Sequence, residues 1–255
     1  MNPILPIFPR AKNWIPGGEG RRPEPIEVVT PNPPGVAVLI PACDAANSLP
    51  ALLGEISRAL PGLPVLVLDD GSRDGTAAAA RAAGVEVFSH LERQGKGAAL
   101  RRGWDLLFRR GHEAVLCLDA DGQHDPAEGP RFLAHWERGA GELLVGDRGL
   151  RSAPMAWDRR LSNLISTRLL VRRTGLPLTD SQCGYRLLAR GLWERLVLEG
   201  RAFDLESEVL LKAAALGARV AQVPVNQRPG GAGSHVRRLP DTWRFLARLC
   251  KGGAA

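Results

Sequence analysis

Residues 114–123 read Ala-Val-Leu-Cys-Leu-Asp-Ala-Asp-Gly-Gln, an apolar run followed directly by an acidic turn. The apolar half predicts a short buried strand, and the turn ends it before Asp125-Pro126. Two carboxylates on alternate residues at the mouth of a strand repel each other and lose hydration, so they need a cation or hydrogen-bond donors. Mg2+ and Mn2+ prefer oxygen ligands and keep coordination positions for substrate phosphates, so either ion suits Asp119 and Asp121. In isolation, a solvated acidic turn is the more common explanation of such a pair, and the choice depends on the rest of the chain.

Length, charge and cysteine content narrow the class of protein. A chain of 255 residues holds one large α/β domain or two small ones. The net charge of +7 and the pI near 9.9 indicate an anionic partner, either nucleotide phosphates or a membrane surface. Nucleic acid is not expected, because aromatic residues make up 5% of the chain and no basic stretch is interleaved with them. The four scattered cysteines predict free thiols in a reducing compartment.

Three regions are expected along the chain. Residues 1–34 contain nine prolines and predict an irregular N-terminal arm, residues 35–240 form the folded domain, and residues 241–255 form a basic amphipathic C-terminal helix or tail. Because no apolar run approaches the roughly 18 to 20 residues that span a bilayer, we expect a cytoplasmic protein. Its basic segments favour peripheral attachment to the cytoplasmic face of a membrane.

Strand and helix patterns alternate along the domain. Apolar runs that predict strands are residues 36–40, 65–68, 85–88, 114–118 and 143–145, and helical patterns lie between them. Such alternation with short links predicts a Rossmann-like, doubly wound, mostly parallel sheet with helices on both faces. Ligands bind beyond the carboxyl ends of the strands in such a sheet, where Asp70, Asp119 and Asp121 fall. A later helix over 157–173 carries apolar residues at helical spacing among arginines, which suits either an anionic lipid surface or a core-facing helix with a basic exposed side.

Six motifs follow one another in a fixed order. They are residues 38–42 (VLIPA), 68–76 (LDDGSRDGT), 95–101 (GKGAALR), 118–126 (LDADGQHDP), 145–148 (VGDR) and 180–186 (DSQCGYR). Each is weak alone, but their order resembles family 2 glycosyltransferases of the GT-A fold over about residues 36–240. Within that family the chain is most similar to the polyprenyl-phosphate (dolichol-phosphate-type) mannosyl- and glucosyltransferases.

The resemblance implies a role for each matching residue on the donor side. Pro41 and Asp70 would line the nucleobase pocket of a UDP- or GDP-hexose, and Asp119 would contact the ribose or the sugar phosphate. Asp121 and Gln123 would ligate Mg2+ or Mn2+.

The remaining roles concern charge and the acceptor. Lys96 and Arg148 would add positive charge around the diphosphate, and Asp180 would lie near the sugar, so that Asp121, Arg148 and Asp180 form the catalytic group. An acceptor phosphate would meet three arginines: Arg186, Arg237 and Arg238. The chain departs from the family at Cys43-Asp44-Ala45, where a Tyr-Asn-Glu run is usual, and we expect Asp44 to replace the missing glutamate.

The expected reaction is an inverting, metal-dependent transfer of a hexose to a polyprenyl phosphate at the membrane surface. An ionised phosphate acceptor needs no side-chain base, whereas a hydroxyl acceptor would need one from among Asp180, Glu206 and Glu208. Two further alternatives stay open: a nucleotidyltransferase, which would release pyrophosphate, and a protein that binds nucleotide sugar without turnover.

Overall fold

The computed structural model describes residues 35–149, 157–199, 205–226 and 228. The expected N-terminal arm, the expected C-terminal helix, Arg237 and Arg238 lie outside the described residues. Among the described cysteines, Cys43, Cys117 and Cys183 are free thiols.

Seven strands and seven α-helices make up the described part of the chain. The strands are β1 (Val36–Ala42), β2 (Val65–Asp69), β3 (Glu86–Ser89), β4 (Ala114–Cys117), β5 (Leu143–Asp147), β6 (Arg186–Ala189) and β7 (Val220–Pro224). The helices are α1 (Leu49–Ala59), α2 (Thr76–Ala82), α3 (Lys96–Arg109), α4 (Gly129–Glu137), α5 (Trp157–Thr174), α6 (Arg190–Trp193) and α7 (Leu205–Ala215). A 3-10 turn at Pro126–Glu128 precedes α4.

The strands form one sheet in the order β3-β2-β1-β4-β6-β5-β7. Its neighbours pair in parallel except for β6, which runs antiparallel to both β4 and β5. This arrangement confirms the predicted doubly wound, mostly parallel sheet. The strand order reverses between β1 and β4, and such a switch point opens a crevice at the carboxyl edge of the sheet.

Buried aliphatic runs explain why these segments form central strands. All seven residues of β1 and all four of β4 are buried, as expected for strands covered on both faces. Edge strand β3 is half-exposed, with exposed Glu86 and Ser89 at its ends and partly buried Val87 and Phe88 between them. Helix α3 packs Leu100, Trp104 and Leu107 into the same core. The core therefore fixes the strand ends on which the site is built.

The structure corrects the expected end of β1 at Pro41. The strand continues to Ala42, which pairs with Asp69 of β2, whereas its pairing with β4 ends at Leu39 and Cys117. Proline has no backbone N–H, so within a sheet it is tolerated where a ladder bond is not required. Pro41 lies just past the end of the β4 pairing, where β1 and β4 separate at the crevice.

Candidate active site

The turn after β4 is tied to the loop after β1 across the crevice. Ser48 Oγ donates to the carbonyl oxygen of Ala120 at 2.7 Å. Ser48 occupies the N-cap position of α1, but its side chain makes no cap hydrogen bond. Pro50 occupies the second helical position and lacks the N–H that a cap would use. The hydroxyl instead holds the acidic turn in place.

Asp119 is the centre of a charged cluster at the carboxyl edge. Lys96 Nζ lies 2.6 Å from its Oδ1, and His124 Nε2 lies 3.5 Å from its Oδ2. Burial by itself raises the pKa of Asp119, but the Lys96 ammonium and the His124 ring outweigh that effect, and the pKa falls well below its usual range. Gly184 packs flat against this carboxylate: an added Cβ would lie 2.8 Å from Asp119 Cγ. Asp119 is thus held in place and ionised at neutral pH.

The pKa of Asp121 is shifted in the opposite direction from that of Asp119. Burial, with the charge of Asp119 as the next cause, raises its pKa above the usual value, even though the Gln123 amide donates to its Oδ1 at 3.0 Å. A carboxylate that is short of positive charge is the group that a divalent cation would satisfy. Within the described residues, no cluster of three or more histidine, cysteine, aspartate or glutamate side chains is arranged to hold a metal by itself. The oxygen donors fit Mg2+ or Mn2+ that takes its remaining ligands from a diphosphate.

Lys96 is shared between two carboxylates. Its Nζ lies 3.3 Å from Glu206 Oε1 as well as 2.6 Å from Asp119 Oδ1. Burial alone lowers the pKa of this ammonium, but Asp119 and Glu206 together raise it above its usual value. The sequence offered Glu206 as a base or a helix cap and gave no sign of this contact, because the two residues lie 110 positions apart.

Asp70 shapes the loop that carries Lys96. Its carboxylate accepts hydrogen bonds from the backbone amides of Gln94 at 2.9 Å and Gly95 at 2.7 Å, and His90 Nδ1 lies 2.9 Å away. Asp70 is 2% exposed, and these three partners engage both of its carboxylate oxygens. The structure therefore brings Asp70 and Lys96 together, while the expected contact of Asp70 with a nucleobase stays a prediction.

Asp44 lies at the rim of the same crevice in an unusual backbone conformation. Its φ of 51° is in the left-handed region, where Asp and Asn are tolerated better than most side chains. Its Oδ1 accepts from the Arg73 amide at 2.9 Å, and its own amide donates to Ser72 Oγ at 2.9 Å. Asp44 thus links the loops after β1 and β2, on the side where Pro41 and Asp70 lie.

A second ion pair is formed by Arg148 and Asp180. Arg148 Nε and Nη2 donate to the two carboxylate oxygens at 2.6 and 3.0 Å, a bidentate arrangement, and the Asp180 side chain is fully buried. Burial lowers the pKa of this guanidinium, whereas Cys183 and Asp180 raise it further, and the net pKa lies above its usual range. Arg148 follows β5 and Asp180 precedes β6, and the antiparallel course of β6 brings both to the same edge.

Arg186 has a different environment from the one expected. The residue is 3% exposed, and its guanidinium donates to the carbonyl oxygens of Cys183, Glu206 and Ser181 at 2.6 to 2.7 Å. A buried guanidinium engaged by three carbonyls does not favour the predicted contact with an acceptor phosphate. Its position instead ties the loop before β6 to the start of α7.

The charges at the crevice do not balance. Four carboxylates, of Asp119, Asp121, Asp180 and Glu206, face two cations, Lys96 and Arg148, which leaves a formal charge of −2 in this set. The buried guanidinium of Arg186, which donates to the carbonyl oxygens of Ser181, Cys183 and Glu206, brings the sum to −1, and a divalent cation would offset the negative charge that remains. Among the described residues, no helix is both long and apolar enough to cross a membrane.

Comparison with known proteins identifies the family. Residues 37–197 match the family model described as Glycosyl transferase family 2. The chain is 31% identical over 204 residues to a polyprenol monophosphomannose synthase of Mycolicibacterium smegmatis, covering 74% of this chain and 75% of the relative. It is 30% identical over 201 residues to an undecaprenyl-phosphate mannosyltransferase of Micrococcus luteus, covering 74% of this chain and 82% of the relative.

Solved structures share the fold. Glucosyl-3-phosphoglycerate synthase of Mycobacterium tuberculosis, in complex with phosphoglyceric acid, superposes with a TM-score of 0.68 at 23% identity, covering 86% of this chain and 79% of that one. A structure of the same enzyme with Mn2+ and UDP-glucose gives a TM-score of 0.65 at 23% identity, covering 86% and 80%. The sheet, the acidic turn and the family match agree, and the chain belongs to glycosyltransferase family 2, with the GT-A fold.

Proposed function

We propose that residues 35–240 catalyse an inverting, metal-dependent transfer of a hexose from a UDP- or GDP-hexose to a polyprenyl phosphate. Of two relatives at about 30% identity, one is named for its product, polyprenol monophosphomannose, and the other is named an undecaprenyl-phosphate mannosyltransferase. The unbalanced carboxylates at the crevice support the metal, and a diphosphate would complete its ligands.

On the donor side, some of the described residues would supply charge and others would hold the charged groups in position. Asp121 and Gln123 would hold the divalent ion, which would stabilise negative charge on the departing nucleoside diphosphate. Lys96 keeps Asp119 ionised and in place, so that Asp119 can accept hydrogen bonds from hydroxyl groups of the donor's ribose or of its sugar-phosphate part. Arg148, oriented by Asp180, presents a fixed positive charge at the neighbouring strand end.

The observation that carries the choice of acceptor is the state of the three candidate bases. Asp180 is held in the bidentate pair with Arg148, Glu206 is bound to Lys96, and the buried Glu208 accepts from the Glu199 amide and pairs with Lys212, each at 2.9 Å. A hydroxyl acceptor would need one of these carboxylates to give up its cation or donor and take a proton. A phosphate monoester is already ionised and needs no base, so the arrangement favours a phosphate acceptor, and the relatives' names support a lipid one.

Helix α5 supports a membrane-surface location. The residues that pack against the protein, Ser166, Thr167, Leu170 and Thr174, are mostly polar. On the outer face Trp157, Leu161, Ile165 and Leu169 recur at intervals of four and are 37 to 77% exposed. Arg168 and Arg172 are exposed on the same face. An apolar stripe with arginines beside it suits the headgroup region of an anionic bilayer better than it suits water.

The test is a transfer assay with the purified chain. UDP- and GDP-hexoses are each supplied with Mn2+ or Mg2+ and either a short polyprenyl phosphate or the corresponding polyprenol. We expect a hexosyl phospholipid and free nucleoside diphosphate with the phosphate acceptor, and no product after chelation. Transfer to the polyprenol would favour a hydroxyl acceptor, release of pyrophosphate would indicate a nucleotidyltransferase, and donor binding without product would indicate a sensor; each of these would overturn the proposal.

A further inference from the structure

The segment after β7 returns to the acidic turn from the far edge of the sheet. Strand β7 pairs with β5 and is separated from β4 by two strands, yet the Arg228 amide donates to the Gln123 carbonyl oxygen at 3.1 Å. Gln123 is one of the two expected metal ligands. The backbone of the turn is therefore held from behind by a residue more than 100 positions later in the chain.

The side chain of Arg228 bridges two carboxylates at the rear of the same turn. Its Nη1 lies 2.5 Å from Glu55 Oε2 on α1, and its Nη2 lies 2.8 Å from Asp125 Oδ1. Asp125 Oδ1 also accepts from the Ala127 amide at 2.9 Å and so caps the 3-10 turn. The three charged groups are partly buried and line a cavity of about 320 Å³ together with Arg58, Ala59 and Ala127. Glu55 thus orients the guanidinium that holds Asp125.

A second tie joins the same two segments. Asn226 Nδ2 donates to Glu128 Oε1 at 2.7 Å, and Arg131 pairs with the other oxygen of Glu128 at 2.5 Å. With the Ser48 contact at Ala120, the acidic turn is held on the β1 side and on the β7 side. This double hold matters because Asp119 and Asp121 repel each other and would otherwise open the turn.

We propose that Arg228, oriented by Glu55, is a positioning residue that sets the geometry of the turn 121–125 for its divalent ion. The inference rests on the proposed function and adds residues that touch neither the metal nor the donor. A turn that is free to move by a fraction of an ångström offers its oxygens at the wrong spacing, and the loss of groups that orient metal ligands typically weakens metal binding about 10- to 100-fold. The pairing therefore acts through Gln123 and Asp125 on the ion.

The experiment compares Arg228→Met, Arg228→Lys and Glu55→Gln with wild type and with Arg58→Met. Arg58 lines the same cavity but donates to Gly54 within its own helix, so its loss controls for charge and surface. Mn2+ affinity in the presence of UDP and, separately, of GDP is measured by electron paramagnetic resonance, and amide hydrogen exchange of residues 119–128 is measured in metal-free protein. We expect Arg228→Met to weaken Mn2+ binding by about ten-fold and to speed exchange in the turn, with smaller effects for Glu55→Gln and Arg228→Lys and none for Arg58→Met.

Unchanged Mn2+ affinity and unchanged exchange in Arg228→Met would overturn the inference, as would a general loss of thermal stability with the metal affinity preserved. If Arg228→Met does not fold, Mn2+ affinity and amide exchange are compared between wild type and the variants Glu55→Gln and Arg228→Lys instead. Failure of the wild-type protein to bind Mn2+ with either UDP or GDP would contradict the proposed function instead, and the exchange measurement would still test the role of Arg228 in the turn.

Discussion

Lys96 Nζ and Asp119 Oδ1 lie 2.6 Å apart, although one residue begins α3 and the other follows β4. The contact joins the two segments on either side of the crevice, because α3 leads from edge strand β3 back across the sheet to β4. It also means that Lys96 already has two anionic partners in the chain itself, Asp119 and Glu206. Its main effect is therefore on the ionisation and position of Asp119.

Replacing Lys96 by Met should remove this effect. It leaves the largely buried Asp119 and Glu206 without their shared cation, and breaking a buried pair from one side costs about 3–5 kcal/mol. Urea unfolding at pH 7 measures the loss. Arg109→Met, on the same helix, removes an exposed partner of Asp105 and should cost less than about 1 kcal/mol. Equal losses in the two variants would contradict a special role for Lys96.

The pH dependence of that loss follows from the sign of the Asp119 shift. The folded-state pKa lies below the unfolded value of about 3.9, so the carboxylate contributes stability above that pH and loses it as the pH falls toward the folded pKa. The difference in unfolding free energy between wild type and Lys96→Met should stay level from about pH 5 to pH 9 and shrink below about pH 4. A difference that grows in acid would show that Asp119 is not the group being stabilised.

Gly184→Ala tests the close packing on Asp119. The added methyl group would lie 2.8 Å from Asp119 Cγ, so the carboxylate must shift from the position in which it contacts Lys96. We expect a loss of about 1–3 kcal/mol in stability and weaker binding of the nucleotide sugar, measured by unfolding and calorimetry. Gly191→Ala is the matched control, since nothing lies within 4 Å of its added Cβ in α6. Donor affinity at the wild-type level in Gly184→Ala would place Asp119 outside the donor site.

Variants of the Arg148–Asp180 pair should show different effects on stability and on transfer activity. Asp180→Asn leaves a buried guanidinium without its counter-ion and should cost about 3–5 kcal/mol. The double change Arg148→Met with Asp180→Leu removes both charges and should recover much of that stability, because apolar residues can replace a buried pair at little cost. We expect no transfer activity in either variant. Activity in the double variant would exclude Arg148 and Asp180 from the chemistry.

The outer face of α5 should govern membrane binding. Each fully buried large apolar side chain contributes about 1.5–3 kcal/mol, so a variant carrying Trp157→Ala, Leu161→Gln and Ile165→Gln should bind anionic phospholipid vesicles at least about ten-fold more weakly. Sedimentation with vesicles measures the binding, and Leu91→Gln at a fully exposed loop position serves as the control. Vesicle binding that survives the triple change would move the membrane contact to another surface.

The sequence predicted the sheet well because long buried runs dominate it. The predicted runs 36–40, 65–68 and 143–145 lie in central strands, and the run 114–118 forms β4 except for Leu118, which follows the end of the strand. The acidic residues fall at the carboxyl ends of these strands. The helix expected over 157–173 spans Trp157–Thr174. Local apolar patterns were sufficient there because burial on both faces leaves few other arrangements for such segments.

Contacts between distant residues were beyond the reach of the sequence. Glu206 on Lys96, Ser48 on the Ala120 carbonyl, and Arg228 on Asp125 join positions 72 to 110 residues apart, and no local pattern encodes them. The burial of Arg186 was missed for a related reason, because an arginine in a polar loop looks the same in sequence whether it faces solvent or three carbonyl oxygens. An amphipathic helix usually packs its apolar face against the protein, whereas the inner face of α5 is mostly polar and its apolar stripe is exposed.

The antiparallel strand β6 affects when the active site forms during folding. It inserts between β4 and β5, so its partner on one side is about seventy residues earlier in the chain, and closing such a long loop is slow and entropically costly. The loop from Asp180 to Tyr185 reaches the crevice when β6 has docked. A chain emerging from the ribosome with β1 to β5 in place would still lack Asp180 and Glu206, and we expect catalytic competence to arise late, together with completion of the sheet.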